Sequence, residues 1–305
     1  MNLNMSTEKT IQQIEDFWNK NLCGKHFIKA RYTSKEFFNQ YREFRYKKEH
    51  HLNYFIDWQS AQNRHVLEIG PGVGADGTRW AEHARSYTGI DLTNESVTAT
   101  SLNLKILSLR GNVVRGNAES LPFSDNKFDL IYSHGVLHHT QSIKKALREI
   151  YRVLKNNGEV ILMLYSKNSF NYWIRIQFYF RIRFLLALFG DKFRVNVAEP
   201  WRSHVRNYQS IGWSYFSWKN WHHHCTDGPD CEIANIYYKS EIKELLSNAG
   251  FNIKKMRKAH FPLGGKYRVL ERGLAKYFGF YQFIWAAKDG ETKRMETKRL
   301  KRLGD

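Results

Sequence analysis

The chain has 305 residues and a formal net charge of +19, from 48 lysines and arginines against 29 aspartates and glutamates. This length can bury a substantial core, and the positive charge suits nucleic acid, an anionic membrane surface or an acidic substrate as partner. Three cysteines are too few for a disulfide framework, and the longest apolar runs are too short to cross a bilayer.

Residues 1–60 are predicted to form two or three amphipathic helices, because aromatic residues recur within charged stretches. We expect this segment to pack on, or close over, the domain that follows. Its first twenty residues contain no apolar stretch of the kind that signal peptides carry, so we expect a cytoplasmic protein.

The stretch 65–78 predicts a short buried strand that runs through a glycine turn into a helix beginning near Asp76. Three glycines, which permit positive φ and close approach of a ligand, form the turn: Gly70, Gly72 and Gly74. The free N–H groups of the helix point at the same place, and the carboxylate of Glu68 ends the strand. This arrangement favours a small charged metabolite. On this stretch alone, a relaxed dinucleotide fingerprint and a tight turn without a ligand remain alternatives.

From residue 64 to about 165, predicted strands and helices alternate, which is typical of a parallel sheet flanked by helices. The further strands are predicted at 87–90, 113–114, 128–132 and 160–164, and the last of these is apolar throughout and therefore central. One helix begins at the capping residues Thr93 and Asn94. Another starts at Ile143 and is predicted to end at 156–158.

Polar groups follow five of these strands at their carboxyl ends, where open parallel sheets bind their ligands. They are Glu68, Asp91, Asn117, Ser133 with His134, and Tyr165. Asp91 comes about twenty residues after the glycine turn, the usual place for a carboxylate that accepts both hydroxyls of a ribose. A helix-capping carboxylate is the alternative for Asp91.

Five stretches in this order resemble the motifs of the class I S-adenosylmethionine-dependent methyltransferases, above all the quinone-biosynthesis type and its small-molecule relatives. They are 66–74, 89–92, 116–123, 128–139 and 149–158. The resemblance implies an α/β fold with a Rossmann-like doubly wound sheet, mostly parallel with an antiparallel last strand. It divides the chain into an N-terminal helical cover, a methyltransferase core, an inserted lid or acceptor-recognition segment and a basic tail. The helical cover spans residues 1–60, the core 61–165 with 236–290, the inserted segment 166–235 and the basic tail 291–305.

The resemblance also implies which residues hold S-adenosylmethionine. The glycine turn would hold its methionine end, Glu68 would bond near its amino group, and Asp91 would hold the ribose. Leu92 would pack on the adenine. Asn117 stands where the family usually has an aspartate facing the adenine amine. The side-chain carbonyl of an asparagine can still accept a hydrogen bond, so we expect this difference to weaken cofactor binding at most. The implied set is completed by Ala118, Ser133 and His134.

Methyl transfer from a sulfonium depends on holding three atoms in line, and a base helps only when the acceptor arrives protonated. Three histidines are candidate bases because histidine titrates near neutrality: His138 first, then His134 and His139. The alternative is that His138 and His139 only bond the backbone and brace the following helix. No metal is predicted at this site.

The segment 166–235 contains an aromatic stretch with three arginines and no acidic residue from 166 to 190. This composition suits an apolar or anionic acceptor or contact with a membrane surface, although a packing helix is the simpler interpretation. Further on, zinc-type side chains occur close together: His222, His223, His224, Cys225 and Cys231. Their spacing matches no standard structural zinc site, so a plain loop is favoured.

We therefore predict a methyltransferase that acts on a small-molecule acceptor, with oxygen as the first choice of acceptor atom. The charge motivates an RNA methyltransferase as an alternative. Against it, the fourth strand lacks the Asn/Asp-Pro-Pro-Tyr/Phe arrangement, and a basic tail is more often a solvated helix end. A non-catalytic cofactor-binding partner protein is the other alternative. A dehydrogenase explains only the glycine turn.

Overall fold

The computed structural model describes residues 3–193, 195–262 and 267–289, so the predicted basic tail lies outside the described residues. Twelve α-helices lie in these ranges: α1 (Leu3–Lys20), α2 (Lys35–Lys48), α3 (Leu52–Phe55), α4 (Ala75–His83), α5 (Asn94–Ile106), α6 (Ile143–Val153), α7 (Phe180–Lys192), α8 (Trp201–Ile211), α9 (Trp213–Phe216), α10 (His223–Thr226), α11 (Lys239–Asn248) and α12 (Arg268–Phe278). A π-helix (Asn171–Tyr179) runs directly into α7. Short 3₁₀ turns cover Lys25–Phe27, Trp58–Ala61 and Leu137–His139. No described helix is both long enough and apolar enough to cross a bilayer.

Eight strands form one sheet: β1 (His65–Ile69), β2 (Ser86–Asp91), β3 (Asn112–Arg115), β4 (Phe128–His134), β5 (Leu154–Ser166), β6 (Ile236–Tyr237), β7 (Phe251–Ala259) and β8 (Tyr281–Lys288). Their order is β3-β2-β1-β4-β5-β8-β7, and β6 pairs with the end of β5. Among these strands, β8 alone runs in the opposite direction to the others, so its pairings with β5 and β7 are antiparallel. The predicted α/β class, mostly parallel with an antiparallel last strand, is confirmed.

The direction of winding reverses between β1 and β4, which places the crevice for a ligand at the carboxyl ends of these two strands. Both strands lie inside the sheet, and their apolar residues are buried on both faces, as Val66 and Leu67 of β1 show. Continuous apolar strands of this kind form because helices cover both sides of a parallel sheet. The rigid centre of the sheet therefore supports the crevice.

The N-terminal helices dock on the glycine turn and the helices beside it. Phe37, Phe38 and Tyr41 of α2 are buried in one cluster with Val73 and Ala75. The predicted helical character of residues 1–60 is thus confirmed for the described part. Burial of several aromatic rings stabilises this docking, since each fully buried aromatic or aliphatic side chain contributes about 1.5–3 kcal/mol.

The end of α6 differs from the prediction. The helix ends at Val153 and β5 begins at Leu154, so 156–158 lie within the strand instead of terminating the helix. The pairing of β4 with β5 shifts register between Phe128 and Leu130, and Asn157 takes a φ of 64° in the extra residues. An Asn-Gly pair tolerates positive φ equally well in a bulge and at a helix end, and sequence does not distinguish the two.

The segment between β5 and β6 is helical and packs around its own aromatic core. Phe184 of α7, Tyr215 and Trp221 are all fully buried there. Arg181 ties the segment together, because its guanidinium donates to the carbonyl of Phe216 at 2.8 Å. The division of the chain into cover, core and insertion stays a prediction.

Candidate active site

A cavity opens at the carboxyl ends of β1, β2, β4 and β5. The core contributes polar and glycine residues to its wall: Glu68, Gly70, Gly72, Asp76, Asp91, Asn117, His134, His139 and Tyr165. The N-terminal helices contribute Ile11, Ile14, Trp18, Tyr41 and Arg45. Within its described residues, the insertion 166–235 contributes Asp227 alone. The cover over this cavity is therefore mainly α1 and α2.

The glycine turn is bent so that its backbone faces the cavity. All three glycines have positive φ: Gly70 at 76°, Gly72 at 61° and Gly74 at 77°. A Cβ atom on Gly70 would lie 2.1 Å from Val136 Cγ2, so no other residue fits there. At Gly72 a Cβ would meet nothing within 4 Å, so the chain leaves open space where the turn lines the cavity. This is the space that a ligand on the turn needs.

Glu68 lies at the floor of the cavity and is almost fully buried. Its carboxylate accepts a hydrogen bond of 2.6 Å from the hydroxyl of Tyr87. Burial, and next the negative charge of Asp76, raise the pKa of Glu68 to about 8. None of the ion pairs between described residues involves this carboxyl.

Asp91 lies on the cavity wall beside the start of α5, but it is not the residue that caps this helix. Its Oδ1 accepts from the backbone N–H of Thr93 at 3.0 Å and from the Thr93 hydroxyl at 2.9 Å. Thr93, and not Asp91, caps α5 by accepting from the N–H of Ser96. Asp91 also lines the cavity, and burial raises its pKa. Its carboxylate is thus oriented by the start of α5 toward the crevice, where a diol can bind.

Three further residues that were expected to hold the cofactor lie on the cavity wall, and Ser133 does not. Leu92, Asn117 and Ala118 all line the cavity. The side-chain oxygen of Asn117, however, accepts from the N–H of Glu119 at 2.9 Å, which uses one of its two lone pairs. Ser133 is not on the wall, because its hydroxyl turns inward and donates to the carbonyl of Ile69 at 3.1 Å.

The three candidate bases have three different environments. His134 lines the cavity, and Arg45 donates to its Nδ1 at 3.4 Å. Because an arginine can only donate, the ring proton is on Nε2, which lies 3.3 Å from a carboxylate oxygen of Glu49. His134 is therefore held as a donor, and burial lowers its pKa.

His138, the first choice from sequence, does not reach the cavity wall. The side chain is fully buried, and its ring lies 3.9 Å from the ring of Tyr165, centroid to centroid. Neither ring nitrogen has a hydrogen-bond partner among the described residues. Burial lowers its pKa well below the ordinary value. The 3₁₀ turn Leu137–His139 explains the difference, since it directs adjacent side chains to different sides.

His139 does reach the cavity, and its tautomer is defined. Its Nδ1 lies 2.5 Å from the carbonyl oxygen of Ile233, which can only accept, so the proton is on Nδ1. Among the described residues Nε2 has no hydrogen-bond partner, and it lies 3.6 Å from a carboxylate oxygen of Asp227. Tyr165 in turn donates to Asp227 at 3.1 Å. Nε2 therefore carries a lone pair that can accept a proton, and the carboxylate beside it would stabilise the resulting cation.

Sequence reasoning missed a buried ionic network behind the glycine turn. Arg45 of α2 forms a bidentate pair with Asp76, with distances of 2.9 Å and 2.5 Å. Tyr46 and Tyr132 each donate to the same carboxylate at 2.9 Å. Although burial raises the pKa of Asp76, Arg45 and these donors lower it to about 2. The position of Asp76 directly after the turn was a signal for a buried charge, but nothing local identified Arg45.

The zinc-type residues do not converge. His223 Nδ1 accepts from the N–H of Ala234 at 3.0 Å, His224 Nδ1 faces the carbonyl of Pro229, and burial raises the pKa of Cys225 far above its usual value. Among the described residues, one group has metal-type spacing, namely Glu49, His51 and His134. The contact with Arg45 places the ring proton on His134 Nε2, the nitrogen beside Glu49, which leaves no lone pair there for a metal.

Comparisons with known proteins agree with this geometry. Residues 67–162 match the model of a family described as a methyltransferase domain. The uncharacterized methyltransferase YcgJ of Bacillus subtilis is 35% identical over 99 residues, which are 32% of this chain and 39% of that protein. The ubiquinone/menaquinone biosynthesis C-methyltransferase UbiE of Klebsiella pneumoniae is 38% identical over 108 residues, 33% of this chain and 43% of the relative. The matched segments thus span less than half of these two relatives.

One solved structure shows the same fold across nearly the whole chain. The crystal structure of the [4+2]-cyclase SpnF is superimposable with a TM-score of 0.51 at 16% identity, covering 92% of this chain and 96% of that one. Because that protein is named a cyclase, the fold by itself does not specify methyl transfer.

The fold and the crevice define a Rossmann-like α/β protein with a cofactor site at the switch point of its sheet. Within it, residues 67–162 match the model of a methyltransferase domain, in agreement with the motifs that resemble class I S-adenosylmethionine-dependent methyltransferases. S-adenosylmethionine is the cofactor that proteins of this type use, and the open space at Gly72 and the unpaired buried carboxyl of Glu68 fit its methionine end.

Proposed function

We propose that the chain transfers a methyl group from S-adenosylmethionine to a small-molecule acceptor bound between the cofactor site and His139. The observation that carries the proposal is that one cavity is lined by Gly70 and Gly72 of the glycine turn, by Asp91 and by His139. The bound cofactor supplies an activated methyl group on a sulfonium. The protein's contribution is then orientation, worth up to about 7–11 kcal/mol in favourable cases, and removal of a proton.

Each protein group has a distinct task in this proposal. Glu68 binds the amino group of the cofactor and Asp91 its ribose. His139 accepts the acceptor's proton at Nε2, and Asp227, oriented by the Tyr165 hydroxyl, stabilises the imidazolium that results. The carbonyl of Ile233 keeps the other ring nitrogen protonated, so Nε2 is the ring nitrogen that can accept a proton.

A base of this kind serves an acceptor that arrives protonated, and we propose oxygen as the acceptor atom. The cavity wall on the side of α1 is apolar, with Ile11, Ile14 and Trp18, and the Trp18 ring lies 4.8 Å from the ring of His139. This supports an apolar acceptor carrying a hydroxyl. Transfer to an acidic carbon is the second candidate, because several of the similar proteins are named C-methyltransferases and the same base would serve it.

The test uses S-adenosylmethionine with a trideuterated methyl group and fractions of small-molecule extract, with mass spectrometry to find products that gain the label. NMR of the product then assigns the label to oxygen or carbon. With that acceptor, His139→Asn is expected to lower kcat by about 10²–10⁴ while cofactor affinity is unchanged.

His138→Leu is the matched control. Since neither nitrogen of His138 is hydrogen-bonded, an apolar side chain of similar size is expected to leave kcat within about tenfold of wild type. Wild-type kcat in His139→Asn, or loss of kcat confined to His138→Leu, would overturn the assignment of the base. Labelled RNA with no labelled small molecule would favour the RNA methyltransferase alternative.

A further inference from the structure

One side of the helical segment 171–192 is an apolar surface that no described part of the protein covers. Its large side chains are exposed at helical spacing: Trp173, Ile174, Phe178, Tyr179, Ile182, Leu185, Leu186 and Phe189. Leu186 is 62% exposed, and both Phe178 and Phe189 are 64% exposed. We call this surface the exposed helical face. Contiguous apolar surfaces of this extent on a protein mark a site of interaction.

The exposed helical face continues onto neighbouring parts of the insertion. The ring of Trp218, itself exposed, lies against the guanidinium of Arg181 at 4.4 Å. Phe193, which follows α7, stacks near Phe189 with ring centroids 4.5 Å apart. Tryptophan and tyrosine at the margin of an apolar surface are typical of groups that sit at the boundary between lipid and water.

Four of the five charged side chains in the segment 171–192 are positive: Arg175, Arg181, Arg183 and Lys192, against Asp191. Arg175 and Arg183 are both exposed, and none of the ion pairs between described residues involves either of them. The sequence contains no acidic residue from 166 to 190, and the whole chain has a net charge of +19. A second copy of the chain packed on this face would place arginines near arginines. An anionic surface neutralises them instead.

We propose that the exposed helical face docks on an anionic lipid bilayer, with the π-helix and α7 lying in the plane of the interface. Helices with an apolar face containing Trp, Phe and Leu, beside basic residues, bind membranes in this way. The segment contains three arginines, and no described helix is both long and apolar enough to cross a bilayer, so the proposal is attachment to one leaflet. This inference concerns the surface of the insertion and does not depend on the reaction in the cavity.

The test is sedimentation of the full-length protein with sucrose-loaded vesicles, either of phosphatidylcholine alone or with phosphatidylglycerol. The wild-type protein is expected to bind the anionic vesicles at least about tenfold more tightly than the neutral ones. Leu186→Glu/Phe189→Glu is expected to weaken that binding by about tenfold or more, because two apolar side chains no longer enter the interface.

The matched control is Val269→Glu/Leu270→Glu on α12. These residues are 86% and 56% exposed, so the control makes the same change of charge and polarity on another surface. The control is expected to bind anionic vesicles within about twofold of wild type. Circular dichroism verifies that each variant is folded.

Three results would overturn the proposal. One is absence of binding to anionic vesicles by the wild-type protein. The second is equal loss in both double variants, which would attribute binding to overall charge. The third is a dimer in sedimentation velocity that Leu186→Glu/Phe189→Glu dissociates while vesicle binding is absent, which would assign the face to a second copy of the chain.

Discussion

At the scale of single residues, Glu68 couples the cofactor site to pH. A buried carboxyl whose pKa is raised to about 8 is mostly protonated at neutral pH. If it binds the cationic amino group of S-adenosylmethionine, it must release that proton, because only the carboxylate attracts a cation strongly. Cofactor binding and proton release are then linked.

The predicted consequence is that affinity for S-adenosylmethionine rises with pH while Glu68 is neutral and the cofactor's amino group is still cationic. We expect a rise of roughly tenfold between pH 6 and pH 7, with nearly one proton released per cofactor bound. Calorimetric titration in buffers of different ionisation enthalpy measures both quantities. Glu68→Gln keeps an acceptor for Tyr87 and is expected to lose this dependence of cofactor affinity on pH. A wild-type affinity that does not change between pH 6 and pH 7 would contradict the proposed role of Glu68 in binding the amino group.

The residues of the site differ in how well sequence could predict them. Glu68, the glycines and Asp91 lie at strand ends whose positions follow from local patterns, and the structure brings all of them except Gly74 to the wall of one cavity. Asp227 lies far along the chain from His139, and no local pattern connects the two. His138 and His139 are neighbours in sequence, so only the direction of a 3₁₀ turn separates a buried ring from one on the cavity wall.

At the scale of elements, α2 is anchored to the start of α4 by the pair of Arg45 and Asp76. Both side chains are largely buried, at 15% and 3% exposure. The lowered pKa of Asp76 means that its ionised form is stabilised by folding, so this contribution is present above about pH 4 and is lost as pH falls toward about 2.

Removing one partner of such a pair is more costly than removing both. Arg45→Met leaves a buried carboxylate without its cation and is expected to lower the free energy of unfolding at pH 7 by about 3–5 kcal/mol, measured by urea denaturation. Arg45→Met combined with Asp76→Asn is expected to recover part of this loss, since the amide oxygen still accepts from Tyr46 and Tyr132. A double variant less stable than Arg45→Met would contradict this account.

Element boundaries also show where local patterns stop being informative. The order of strands and helices from β1 to β5 follows from apolar periodicity and capping residues, and it is confirmed. The boundary between α6 and β5 is different because it depends on the register that β4 imposes, which is a tertiary effect. The roles of α1 as cover and of the insertion as a source of Asp227 depend in the same way on how distant segments pack.

At the scale of the whole molecule, a rigid sheet presents one crevice that two otherwise unrelated segments complete. The N-terminal helices supply the apolar wall and Arg45, while the insertion supplies Asp227 and carries the exposed helical face. In the proposed function the cofactor therefore binds at the centre of the sheet, while the N-terminal helices and the insertion make the contacts with the acceptor and with a membrane surface. Such a division lets one fold serve many acceptors.

The central claim is that this crevice binds S-adenosylmethionine, and calorimetric titration of the full-length protein with the cofactor tests it most directly. Wild type is expected to bind with micromolar affinity and Asp91→Ala about tenfold to a hundredfold more weakly, because charged hydrogen bonds to the ribose are lost. Asp125→Ala removes a carboxylate that pairs with Arg152 outside the cavity and is expected to bind as wild type does. No binding by folded wild-type protein, or equal affinity in Asp91→Ala, would contradict the account.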